Sequence, residues 1–109
     1  MLLIFPPIAK ACEPPAGIAR LAGALKANNI PCRLWDANLE GQLWLLEQQP
    51  EADDTWTRRA WRSSQNHLAA LRDRRTYASP GRYATAVNDL NRLLLMAAQP
   101  LQAEVGLAD

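Results

Sequence analysis

Few side chains in this 109-residue chain could do chemistry, and their spacing limits what they could do. Cys12 lies in a loop between two proline pairs. A reactive thiol needs a base or cation to hold it as thiolate, and none stands beside it in the sequence. Cys32 is too distant to form a metal-ligand spacing with Cys12, and it reads as a small apolar residue in a strand. The single histidine, His67, lies in Asn66-His67-Leu68-Ala69 and reads as a core or boundary residue. Asp36 and Asn38 follow the short segment Cys32-Arg33-Leu34-Trp35. At the end of a strand they could hydrogen-bond the amides or hydroxyls of a ligand, and an acid there is also the ribose-binding position of dinucleotide folds. The Gly-x-Gly-x-x-Gly fingerprint is absent, which argues against a nicotinamide cofactor. The plainer reading makes Asp36 a turn former and Asn38 a helix N-cap. Arg58, Arg59, Arg62, Arg72, Arg74 and Arg75 could track a nucleic-acid backbone, with Trp56 and Trp61 for stacking. Glu51, Asp53, Asp54 and Asp73 partly neutralise that cluster, so a solvated helix face is expected rather than nucleic-acid binding.

The elements that must position these residues follow from apolar patterning. Leu2-Leu3-Ile4-Phe5 is a continuous apolar run, the pattern of a strand covered on both faces. Residues 6–17 form a loop stiffened by Pro6-Pro7 and Pro14-Pro15. A helix follows, with Ile18, Leu21, Ala22 and Leu25 on one side and Asn28-Asn29 as its stop. Cys32 to Trp35 is a second strand ending at Asp36. Leu39, Leu43 and Leu46 then mark a helix to Gln49, with Asn38 as its cap. Two strands joined by one helix are most simply parallel, with a right-handed crossover. Ligands of such units bind beyond the carboxyl ends of the strands. The proline loop and the Asp36-Ala37-Asn38 turn are those two ends.

The back half is helical. Asp53 or Asp54 is positioned to cap a helix from Thr55 to Arg74, with Trp56, Ala60, His67 and Leu71 near one face and Trp61 and Leu68 beside it. Tyr77 to Gly81 has the chemistry of a turn. Tyr83, Val87, Leu90, Leu94 and Ala97 repeat at the spacing of a helix–helix seam. Pro100 ends that helix, and Ala103 to Leu107 is an edge strand or an extended tail.

Composition sets the outer limits. Twelve basic residues against eleven acidic ones give no global attraction to nucleic acid or an anionic membrane. The charge is uneven: residues 1–50 balance, residues 51–82 carry seven arginines against four acids, and residues 83–109 are acidic. Four of the aromatic residues are Trp, which mark large buried or interfacial surfaces. Met1 to Phe5 is cut short by prolines and lacks a basic flank, so neither a signal peptide nor a membrane span is expected there. Two thiols in no disulfide-like pattern suit a cytoplasmic chain.

The order of features in the front half resembles a known family. A short strand is followed by Pro-Pro, a spacer, Pro-Pro-x-Gly-Ile-x-x-Leu-Ala-x-x-Leu, and a strand ending in Asp-x-Asn. Here these are Pro6, Pro7, Pro14, Pro15, Gly17, Ile18, Leu21, Ala22, Leu25, Asp36 and Asn38. Over residues 1–48 this resembles the N-terminal cobalamin (B12)-binding-type domain that precedes the catalytic barrel of many radical S-adenosylmethionine (radical SAM) proteins. Tyr83, Ala86-Val87 and Leu90-Asn91-Arg92 more faintly resemble a helical insertion of some members. The resemblance implies a Rossmann-like, flavodoxin-order sheet in the complete domain, with cobalamin on the carboxyl edge. It implies Pro7, Pro15, Gly17, Asp36 and Asn38 as cofactor-binding residues. A 4Fe-4S iron–sulfur cluster and S-adenosylmethionine would be bound by a parent protein, because this chain has no Cys-x-x-x-Cys-x-x-Cys. Asp-x-His-x-x-Gly, for a cobalt-ligating histidine, is also missing.

The expectation is therefore an α/β fold: a partial Rossmann-like parallel β-α-β unit over residues 1–49 and a helical pair over 50–109. The expected function is the non-catalytic front module of a radical SAM enzyme, with Pro-rich walls that hold shape when the site is empty. Gly17 would allow close backbone approach, and the following helix would offer free N–H groups. The expected partners are the remainder of a parent protein or a second copy of the fragment, and no membrane. The alternative is a helical docking module without cofactor.

Overall fold

The computed structural model describes residues 1–13, 15–51 and 54–108. Pro14 of the second proline pair, and Asp53 as an alternative helix cap, lie outside the described residues.

The fold is mixed α/β and mostly helical, with four α-helices and a two-stranded parallel sheet. Strands β1 (Leu2–Phe5) and β2 (Arg33–Asp36) flank helix α1 (Ala16–Ala27). The strands pair in register from Leu2 with Arg33 to Phe5 with Asp36, so both carboxyl ends lie on one edge as expected. Helix α1 stops at Asn28, whose N–H turns back to Ala24 and Leu25, and Asn29 takes a left-handed φ of 57°. An asparagine tolerates that backbone better than most residues.

The expectation that β1 is covered on both faces is not met. Leu3 and Phe5 are half-buried, but Leu2 is 57% exposed and Ile4 48%. Helix α1 packs against both strands and α2 against β1, yet Leu2, Ile4 and Trp35 stay exposed on one face, and Leu34 is exposed on the other. An unbroken apolar run indicates an apolar environment on both sides without saying which chain supplies it. Cys32 precedes β2 and is half-buried, with its thiol 4.0 Å from the Ala22 carbonyl oxygen.

Helix α2 (Ala37–Leu46) starts and ends earlier than expected. Asp36, not Asn38, is its N-cap: the Asp36 Oδ1 accepts the Leu39 N–H at 2.8 Å. Asn38 lies inside the helix. The buried residues of α2 are Asn38, Gln42 and Leu46, while Leu39 is 42% exposed. Of the expected leucine face Leu46 is buried in the core and Leu43 half-buried, while the polar pair Asn38 and Gln42, one turn apart, is buried in place of Leu39.

Helices α3 (Thr55–Leu71) and α4 (Pro80–Ala98) pack along each other. Asp54 caps α3, accepting both the Thr57 N–H and the Thr57 hydroxyl. A 3-10 turn over Arg74–Ala78 leads into α4, which begins at Pro80 rather than at Tyr83. Proline suits a first helical position because its φ is preset and no N–H is lost there. The core is Leu46, Ala60, Leu90, Leu93 and Leu94, with Trp61, Leu68 and Leu71 packed on it. Ala98, rather than Ala97, is buried at the end of the α4 seam. Residues 103–108 run as an extended tail that adds Val105 and Leu107 to the core.

Candidate functional site

The carboxyl ends of β1 and β2 meet the proline loop and the start of α2. The loop is held there by two buried amide side chains. Asn38 Oδ1 accepts the Ala9 N–H at 2.9 Å, and Gln42 Nε2 donates to the Ala9 carbonyl at 2.7 Å. One peptide position of the loop therefore has both its polar groups satisfied by side chains of α2. Burying those groups without partners would be costly. On its other side the loop is tied to the tail, where the Cys12 N–H donates to the Leu107 carbonyl at 3.2 Å. The tail is itself fixed by Asn91 of α4, which accepts the Leu107 N–H at 2.7 Å and donates to the Ala108 carbonyl at 2.9 Å. The prolines reduce the number of conformations the free loop can sample, and the amides fix the one adopted.

Beside this clamp lies a largely apolar cavity of about 240 Å³ whose lining includes Pro7, Asn38, Gln42, Trp44 and Val105. Two of the five expected cofactor residues, Pro7 and Asn38, thus share one cavity. Pro15, Gly17 and Asp36 form no part of its lining. Pro15 is the half-buried residue ahead of α1, whose start has no side-chain cap. Gly17 is exposed, and a Cβ placed on it would meet nothing within 4 Å. No close approach within this chain therefore requires a glycine there. Asp36 and Asn38 each spend a side-chain oxygen on the protein itself.

A second polar cluster joins α3 to α4. The Asp89 carboxylate is buried, accepting the Trp56 indole N–H at 2.8 Å and lying 2.9 Å from His67 Nε2. The Arg92 guanidinium sits 5.0 Å from the centre of the Trp56 ring and donates to Thr57 Oγ1 at 3.1 Å. It also lies 3.3 Å from Asp54. The hydrogen bonds from Thr57, followed by Arg92, hold the Asp54 carboxyl down at about 2. His67 is thus a boundary histidine bonded to a carboxylate, as its apolar neighbours suggested. Its surroundings show a cross-link between helices, with both Asp89 oxygens engaged. Trp61 packs on the core, whereas Arg58, Arg59, Arg62, Arg72 and Arg74 are exposed.

Cys12 is exposed and free, and among the described residues no three His, Cys, Asp or Glu side chains are placed to hold a metal. No helix of the described residues is long and apolar enough to cross a membrane. Sequence reasoning missed Gln42, Asn91 and Asp89. The signals were there: Asn38 and Gln42 are four apart on one helix face, and Asp89 sits inside the apolar seam of α4.

The chain matches no family model, no curated protein and no solved structure.

Proposed function

We propose that the chain is the front β-α-β module of a larger parallel α/β domain, of the cobalamin-binding type that precedes the barrel in radical SAM proteins. Its role is to supply one wall of a cofactor site, not to catalyse. The observation that carries this reading is the parallel β1–β2 pair, with its shared carboxyl edge at a clamped proline loop and one bare sheet face. Two strands covered by a helix on one side leave unpaired strand edges and exposed Leu2, Ile4 and Trp35, which further strands and helices of a parent protein would cover.

This chain's own residues do not enclose a corrinoid. The cavity at Pro7 and Asn38 is far smaller than such a macrocycle, and the side chains of Asp36 and Asn38 are engaged within the protein. The part left to this chain is a rigid surface: Pro7 and Pro15 limit the loop, and the space above Gly17 is open. Cobalamin, where held, would supply the organometallic chemistry, and the remaining contacts would come from the parent protein.

The alternative is a docking module without cofactor, favoured by the same bare face. The reading frame beyond Asp109 separates the two. The module reading expects a downstream Cys-x-x-x-Cys-x-x-Cys motif, and a stop codon directly after Asp109 would overturn it in favour of docking.

A further inference from the structure

We infer that the outer face of helix α3 binds the phosphate backbone of duplex nucleic acid, through Arg58, Arg59 and Arg62 and, at the end of the helix and just past it, Arg72 and Arg74. At about 100° per residue, Arg58, Arg59 and Arg62 fall within an arc of about 100°. Gln65 and Asn66 carry the same face one turn further, and amides donate readily to phosphate oxygens. Thr57, Ala60 and Ser64, on the opposite side, are buried. All five arginines are exposed, and α3 itself contains no Asp or Glu.

The neutralisation expected from nearby acids is not what the structure shows. Asp54 is engaged by Thr57 and Arg92, and Asp73 is paired with Arg75 at 2.8 Å. Arg58, Arg59, Arg62, Arg72 and Arg74 make no ion pair among the described residues. Arg58 and Arg62 stand one turn apart, where like charges repel. A partner carrying repeated negative charge removes that repulsion. From Arg58 to Arg72 the helix runs about 21 Å, a span that meets several phosphates of a duplex. The aromatic residues point to a duplex rather than to unstacked bases. Trp61 packs on the core, and the Arg92 guanidinium lies 5.0 Å from the centre of the Trp56 ring, so neither offers a free platform for stacking. A lipid surface fits less well, because Leu68 and Leu71 of α3 are turned to the core and leave no large aliphatic side chain on the outer face to insert. This surface lies outside the β-α-β unit and rests on no cofactor.

The test titrates the whole chain into fluorescently labelled duplexes, DNA in one arm and RNA in the other, and follows anisotropy over a series of salt concentrations. Both duplexes should bind, unrelated sequences equally, because only the backbone is read. For DNA the logarithm of the affinity should fall against that of salt with a slope of about −3 to −5, as three to five neutralised phosphates require. Arg58→Gln combined with Arg62→Gln should weaken binding about tenfold or more at low salt and reduce the slope by about 2. Glutamine is nearly as good a helix former as arginine, so the circular dichroism of this variant should be unchanged. Arg20→Gln, on α1, should alter neither affinity nor slope. The inference would be overturned by a wild type without salt-dependent duplex binding, or by an Arg58/Arg62 variant that binds as tightly as the wild type. An equal loss in Arg20→Gln, or tighter binding to single strands or to phosphatidylserine vesicles than to duplex, would overturn it as well.

Discussion

Removing the Asn38 side chain should loosen the proline loop more than removing the amide of Gln42, although Gln42 makes the shorter bond. Asn38 is 2% exposed, and its Oδ1 is the acceptor for the Ala9 N–H. Asn38→Ala leaves that donor unpaired at a half-buried position, which costs about 1–3 kcal/mol. The contact from Gln42 at 3.4 Å is at the limit of a hydrogen bond and adds little. Gln42→Leu keeps similar volume and forfeits the 2.7 Å bond to the Ala9 carbonyl. It also removes the buried, unpaired Oε1. The two effects oppose each other, so its net cost should stay below about 1 kcal/mol. Urea unfolding followed by tryptophan fluorescence should show a midpoint lower by about 1 M for Asn38→Ala, and a much smaller shift for Gln42→Leu. Amide exchange at Ala9 should accelerate in Asn38→Ala. Because both side chains act on one peptide position, the double variant should not be additive. An unchanged midpoint with unchanged Ala9 exchange in Asn38→Ala, or a larger cost for Gln42→Leu than for Asn38→Ala, would refute the clamp.

Three further outcomes follow from the same physics. Leu90→Ala, at a fully buried position against Leu94 and Ala60, should cost about 2–5 kcal/mol in urea unfolding. Asp54, held at about 2 when folded against an ordinary value of 3.8, lends stability that is present above pH 3.8. That stability should fade as pH falls from about 4 through about 2, and Asp54→Asn should remove this part of the acid dependence measured by circular dichroism. Gly17→Ala should be neutral or stabilising, by up to about 1 kcal/mol, because its φ is not left-handed and its Cβ has open space; a clear loss of thermal stability would contradict this.

Much of the fold was legible because apolar runs and breakers are local signals. The parallel β-α-β order, the Asn28-Asn29 stop and the Leu90–Leu94 seam were all readable from spacing alone. The site was less legible because its polar groups are satisfied across long sequence separations. Asn38 looked like a cap because amides commonly cap helices, but Asp36 reaches Leu39 and leaves Asn38 and Gln42 free to grip Ala9. No local pattern announces that the partner lies 29 residues upstream of Asn38. The exposure of Leu2 and Ile4 on β1 is hidden from the sequence for a related reason. Leu2 and Ile4 report the environment they are suited to, and this chain supplies it on one side only.

Titration of hydroxocobalamin, followed by its visible absorption, into this chain and into a longer protein that continues past Asp109 tests the module reading most directly. Binding is expected by the longer protein alone, weakened there by Pro15→Ala and by Gly17→Val. Equal micromolar or tighter binding by both proteins, or binding by neither, would contradict it.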